Sequence, residues 1–391
     1  MRTYVNGLGL NPRTAFSTTA ILLIALFFAC DSDSKKAIVP IAPAFPTVAK
    51  FVVAIDGSGV GSNVNVFPVN ATTGALGAAV AGSPFNMGLT NGMTLEVHPN
   101  GHFVYAADSL DGSIHAWDVN ETTGVPTAIG VPLINESGTF YQPCCSVGDA
   151  ATHVITVTPD GKYLYSANND ATVGAYSIGS TGALTHIADL NVAACATGAI
   201  SANNSFVWVT DTCGNAAWNV MTMAIGATGG LTKTSSIALT GVDSWLWSIQ
   251  VNPVANFLYV GDEGGGAQLY SFSVATDGSL TQLGPQLVEN ASSDVRNIAH
   301  SADGKSFYTT DDDDVVHAFS VNTTTGAITE LLASPYPGGT GEIVVDITGQ
   351  FVYFGAGTIF GYTRDATTGA LTLVGNTTTA NGAALAVGIV R

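Results

Sequence analysis

The sequence predicts an all-β protein, a seven-bladed β-propeller, on three observations. A strand–turn–strand unit recurs along the chain, no helical periodicity accompanies it, and the composition suits short strands joined by tight turns. Of 391 residues, 45 are glycine and only 10% are charged. That balance favours sheet and turn over long helices.

The first segment stands outside this pattern. Arg2 and Arg13 precede an apolar run, Ala20 to Ala29 (AILLIALFFA), followed by Cys30 and the polar DSDSKK. The run is short for a membrane span and ends in a small residue, the form of a secretory signal. Residues 1–30 are therefore expected to be a signal peptide. Its end resembles a bacterial lipoprotein signal, which implies lipidation of Cys30, although Phe27 stands where an aliphatic residue is usual. Residues 31–48, with Pro40, Pro43 and Pro46, read as a tether. Residues 49–391 form the expected propeller.

Seven cores then follow in order. The first, KFVVAID (Lys50–Asp56), has only the second strand of the unit. The others are VHPNGHFVYAAD, VTPDGKYLYSAN, ISANNSFVWVTD, VNPVANFLYVGD, HSADGKSFYTTD and VDITGQFVYFGA. An alternating strand such as GSIHAWDVN or VVHAFSVN comes next, then a turn of the TTGAL type. The turn glycines are Gly74, Gly124, Gly182, Gly229, Gly278, Gly326 and Gly369, spaced 43 to 58 residues apart. PDG and PNG supply turn residues in which glycine can take positive φ. The F/Y-x-Y/W alternation puts aromatics on one strand face, where they fill the space between blades. The acid or amide ending six of the seven cores can bond the backbone of the next turn, which argues against reading any one of these acids as catalytic. The last segment, AALAVGIVR (Ala383–Arg391), is an orphan strand. It is expected to complete the first blade and close the ring, hiding an adhesive edge.

HPNGHFVYAAD, TPDGKYLYSAN and the TTGAL turns resemble the lactonase-like seven-bladed propellers, a family with 6-phosphogluconolactonases, carboxy-muconate cyclases and YVTN-like surface repeats. The resemblance covers about Phe51 to Arg391 and implies the fold more than an activity. Lactone-acting members tend to carry a His six residues before the Pro of the third blade's PDG, and His153 stands there. Arg296 occupies the equivalent place in the sixth blade, where Arg is usual. The fourth blade's Arg and Glu correspond to Ala196 and Thr212, and an Arg after the fifth blade's second strand corresponds to Glu263. Lactone opening or closing develops oxyanion and carboxylate charge, which buried arginines stabilise. Losing one such donor costs about 10²- to 10³-fold in rate, so these losses predict that the family reaction fails unless other groups substitute.

Glu96, Asp211, Glu263 and Glu342 are candidate replacements in or near the central channel; solvated loop acids are the plainer reading of each. His153 is a catalytic candidate with Arg296, or an inherited channel residue bonding water or a carbonyl. Trp247, at the same strand position in the fifth blade, either stacks on a sugar or plugs the channel.

Cys195 and Cys213 flank the fourth hairpin symmetrically, which sets them opposite one another. Export favours oxidation, so a Cys195–Cys213 disulfide is expected. Cys144 and Cys145 are adjacent and leave three readings open: a vicinal disulfide, free thiols, or cross-pairing with that hairpin. No CxxC or HxxxH spacing suggests zinc, and the acidic run Asp311–Asp314 fits no EF-hand pattern. No nucleophile elbow, P-loop or dinucleotide motif is present, and no cofactor or metal is expected. A formal charge of −18 repels phosphate backbones and excludes nucleic acid as a natural partner. The expected protein is an exported, lipid-anchored monomer of a bacterial envelope, periplasmic or at the cell surface. It would act there as a binding or scaffold module for an envelope protein or a small sugar or lactone, with a divergent lactonase or muconate-type cyclase using the central channel as the alternative. Only the lipid would touch the membrane.

Overall fold

The computed structural model describes residues 49–57, 61–134, 154–168, 170–192, 197–211, 218–239, 242, 246–262, 268–287, 295–311, 313–355, 357–380, 382 and 384–391. Cys30, Cys144, Cys145, His153, Cys195, Ala196, Thr212, Cys213 and Glu263 lie outside these residues.

Seven antiparallel sheets ring a common axis. Blades 3, 4, 5 and 7 have four strands in sequence order. In blades 2 and 6 the outer edge is split into two short strands, Pro126–Ala128 with Leu133–Ile134 and Ile328–Glu330 with Tyr336–Pro337. The innermost strands of blades 2 to 7 are Gly92–Val97, Ile155–Val157, Thr197–Ala202, Leu246–Val251, Asn297–His300 and Ile343–Val345. Blade 1 takes its inner strand from the other end of the chain. Ala384–Val390 pairs with Phe51–Asp56, with Phe51 opposite Val390 and Ile55 opposite Ala386. This is the closure the orphan strand predicts.

The core is distributed as seven apolar clusters, one at each interface between neighbouring blades. Trp117, Trp208, Trp247 and eight tyrosines are fully buried. Each large side chain so buried contributes about 1.5–3 kcal/mol.

The second-strand aromatics also carry a polar contact from blade to blade. The hydroxyls of Tyr105, Tyr165, Tyr259, Tyr308 and Tyr353 donate to the carbonyls of Gly182, Gly229, Gly326, Gly369 and Gly74 at 2.7–3.0 Å. The indole of Trp208 does the same to Gly278 at 3.1 Å. Each acceptor is the turn glycine of the following blade. Blade 1 breaks the series, because Val53 occupies the donor position. These glycines have φ of 73–86°. A Cβ on Gly74, Gly229, Gly278 or Gly326 would collide with the aromatic ring of the preceding blade. Glycine is thus required twice over, by its dihedral and by the close approach.

Shorter side chains fix where the chain enters the inner strands. Thr210 donates to the carbonyl of Leu246, Ser248 to Val295, and both Thr310 and Asn297 to Gly341, at 3.1–3.2 Å. These contacts aim the residues that follow at the channel.

Candidate functional site

The inner strands run in one direction, so their first residues share one rim of the central channel. Arg296, just before its strand, is only 9% exposed, and Trp247 lies at 1%. The guanidinium carbon of Arg296 is 3.8 Å from the centroid of the Trp247 ring. The indole face holds the cation flat, a contact worth about 2 kcal/mol when desolvated. Trp247 is therefore a support beneath Arg296. Its buried ring is not a platform for a sugar.

The carboxylates divide between two levels. Asp211 ends the second strand of blade 4, opposite Thr197, and so belongs to the rim. Burial raises its pKa, against the opposing pull of Asn219 and Lys233. Glu342 and Glu96 sit further along the channel wall. Glu342 is 1% exposed and spans three blades. From blade 7 it accepts the N–H of Val387 in blade 1 at 3.2 Å, the N–H of Leu95 in blade 2, and the hydroxyl of Thr94 at 3.5 Å. Inner strands present one unpaired edge to the channel, and this carboxyl caps two of those edges. Burial and the neighbouring Glu96 push the Glu342 pKa well above the usual range.

Glu96 keeps part of its surface on the channel while protein surrounds its carboxyl. Burial pushes its pKa up to about 8, only partly offset by the hydrogen bond from Thr156. Both glutamates line a cavity of about 340 Å³ that opens among the hairpin residues Pro253, Ala302 and Ile347. Arg296 and Trp247 are not part of its wall. The structure thus brings Arg296 together with Trp247, and Glu96 together with Glu342, at separate levels. His153 and Glu263 lie outside the described residues.

The recurring acids that end the second strands are spent on backbone. Asp56, Asp108, Asp262 and Asp311 are buried and accept N–H groups of the adjoining turns. Asp311, in the acidic run, also meets Nε2 of the buried His317 at 3.2 Å, and Glu330 meets Nδ1 at 2.6 Å. Asp108, Asp111 and His115 place ligand-type atoms within 4.8 Å of one another. Asp108 is already saturated by Thr90, Asn91 and Leu110, which leaves this a turn cluster. Sequence reasoning missed the Thr94 and Thr156 partners of the two glutamates. Small hydroxyl residues at equivalent inner-strand positions carry no distinguishing signal in a chain rich in threonine.

The family model of the lactonase seven-bladed β-propeller matches residues 131–383. The chain belongs to the lactonase seven-bladed β-propeller family. A WD-repeat model matches residues 91–118, within blade 2. Among solved structures, this lactonase-family propeller is similar to a putative 6-phosphogluconolactonase from Bacteroides fragilis, at 18% identity and a TM-score of 0.68. That match covers 88% of this chain and 98% of the other. It is also similar to the periplasmic gluconolactonase of Pseudomonas aeruginosa, at 14% identity and a TM-score of 0.69, over 88% and 99% of the two chains. At these identities the likeness is one of fold. No curated protein matches the sequence.

Proposed function

We propose that this propeller is an exported, lipid-anchored binding module whose channel rim takes a small sugar acid or sugar lactone without turning it over. The observation that carries this reading is Arg296 held flat on Trp247. A planar guanidinium is suited to bidentate recognition of a carboxylate, and its partial burial strengthens that attraction. Ala196, Thr212 and Glu263 stand where the family's further charged groups are usual, which weakens the case for chemistry. The leader ending at Cys30 supports export and anchoring. Titration calorimetry with gluconate tests the reading. Binding should weaken at least ten-fold in Arg296→Ala, a change of about 1.4 kcal/mol. Equal binding by that variant would overturn it.

A second reading, lactone hydrolysis through His153 and Arg296, is favoured by the same buried cation. Such a group is placed to stabilise an oxyanion. The names of the two lactonase neighbours point the same way.

A further inference from the structure

The cavity of about 340 Å³ at the hairpin end of the channel is not used by the rim reading. Its size falls at the small end of ordinary ligand sites. Aliphatic side chains, among them Leu95, Val251, Ile298 and Val344, make up part of its wall, and polar groups expose a comparable share of it.

The charged and titratable groups on the wall are Glu96, Glu342, Asp346, His300 and Arg391. Four of them have other work. Glu342 caps the edges of blades 1 and 2. Asp346 accepts the N–H groups of Gln350 and Phe351, both at 2.7 Å, inside its own hairpin. His300 is wedged between the rings of Tyr259 and Phe307, with centroids 5.3 and 5.0 Å away. Arg391 donates to the carbonyl of Pro99 at 3.2 Å. That leaves Glu96. Among the described residues it is bonded by the Thr156 hydroxyl, and no side-chain cation stands beside it.

We propose that this cavity is a second ligand site, selective for a small primary amine whose ammonium sits on Glu96 and whose hydrocarbon lies on the aliphatic part of the wall. A buried carboxyl without a counter-ion gains most from a cation brought in by the ligand. The aliphatic part of the wall favours an organic cation, since a hydrated metal ion gains nothing from that surface. Glu342, committed to backbone N–H groups, is not available to complete a metal's oxygen shell. At neutral pH Glu96 holds a proton, so binding an ammonium ion expels that proton to the buffer. The inference does not depend on the rim binding a sugar acid.

Titration calorimetry of the purified protein at pH 7.5 tests it, with n-hexylamine, 1-hexanol and calcium chloride as probes. The amine should bind at least ten-fold tighter than the alcohol, and proton release should show as a heat that varies with the buffer's ionisation enthalpy. Glu96→Gln should lose at least ten-fold in amine affinity, and Val344→Phe, which fills the cavity, should also weaken the amine. Circular dichroism confirms that both variants fold. Equal binding of amine and alcohol, preferential binding of calcium, an unaffected Glu96→Gln variant, or no binding of the amine each overturns the proposal. None of these outcomes bears on gluconate binding and its loss in Arg296→Ala, so the two readings fail separately.

Discussion

The hydroxyl of Tyr353 donates to the carbonyl of Gly74 at 2.7 Å, joining residues 279 positions apart. It is the ring-closing member of a series that ties six of the seven blades to the turn of the next. Tyr353→Phe leaves a buried carbonyl without its donor and should cost about 1–2 kcal/mol in urea denaturation. Gly74→Ala should cost more, because it opposes a φ of 73° and collides with Phe351. Equal stability of wild type and Tyr353→Phe would mean that the latch contributes nothing.

His300 should be a liability. It occupies the inner-strand position held by Val97, Val157, Val251 and Val345 in other blades. Neither ring nitrogen makes a hydrogen bond of normal geometry, and the Ser306 backbone compensates its burial only in part. Burial pushes its pKa down to about 3. The unfolded chain therefore binds more protons between about pH 6.5 and 3, and stability falls as pH falls through that window. His300→Val should raise stability at pH 7 by about 1–3 kcal/mol and flatten the acid limb of a Tm–pH profile. A loss of stability at pH 7 contradicts this.

His317 should act with the opposite sign. Burial pulls its pKa down, but the hydrogen bonds and charges of Asp311 and Glu330 outweigh burial and hold it above the ordinary value. Its contribution is fully present below about pH 6.5 and is lost as pH rises through the elevated folded value. His317→Gln should destabilise the fold by about 3 kcal/mol at pH 6 and by less at pH 9. An equal effect at the two values would mean that the imidazole is neutral in the fold.

Glu96 should weaken the fold as pH rises. Its folded pKa near 8 exceeds the unfolded value of 4.5, so the native state holds the extra proton between these limits. Glu96→Gln should therefore gain stability relative to wild type from about pH 5 to pH 8, by an amount of order 1–3 kcal/mol. A parallel pair of Tm–pH curves would show that Glu96 titrates normally.

Much of this architecture was legible in the sequence because it repeats. The PDG turns, the F/Y-x-Y/W strands and the TTGAL glycines each stand at the place the repeat assigns, and the Ala384–Val390 strand closes blade 1. The family resemblance was legible for the same reason. The site was less so. Arg296 could be placed at the rim by counting from Ala302, but its stacking on Trp247 depends on how neighbouring blades face each other. Strand periodicity does not encode that. The separation of Glu96 from Arg296 along the axis, and the commitment of Glu342 to two strand edges, follow from ring geometry across residues far apart in sequence. The latch donors read only as packing aromatics, because a tyrosine's hydroxyl partner is invisible until the next blade is in place.

The central claim is that the rim binds without turning its ligand over. The most direct test is lactone hydrolysis by pH-stat on purified protein, with sugar lactones, phosphorylated and not, run beside His153→Ala and Arg296→Ala. The account predicts no turnover above the uncatalysed rate by any of the three proteins. Hydrolysis by the wild type that disappears in both variants would contradict it and identify the channel rim as a working lactonase site.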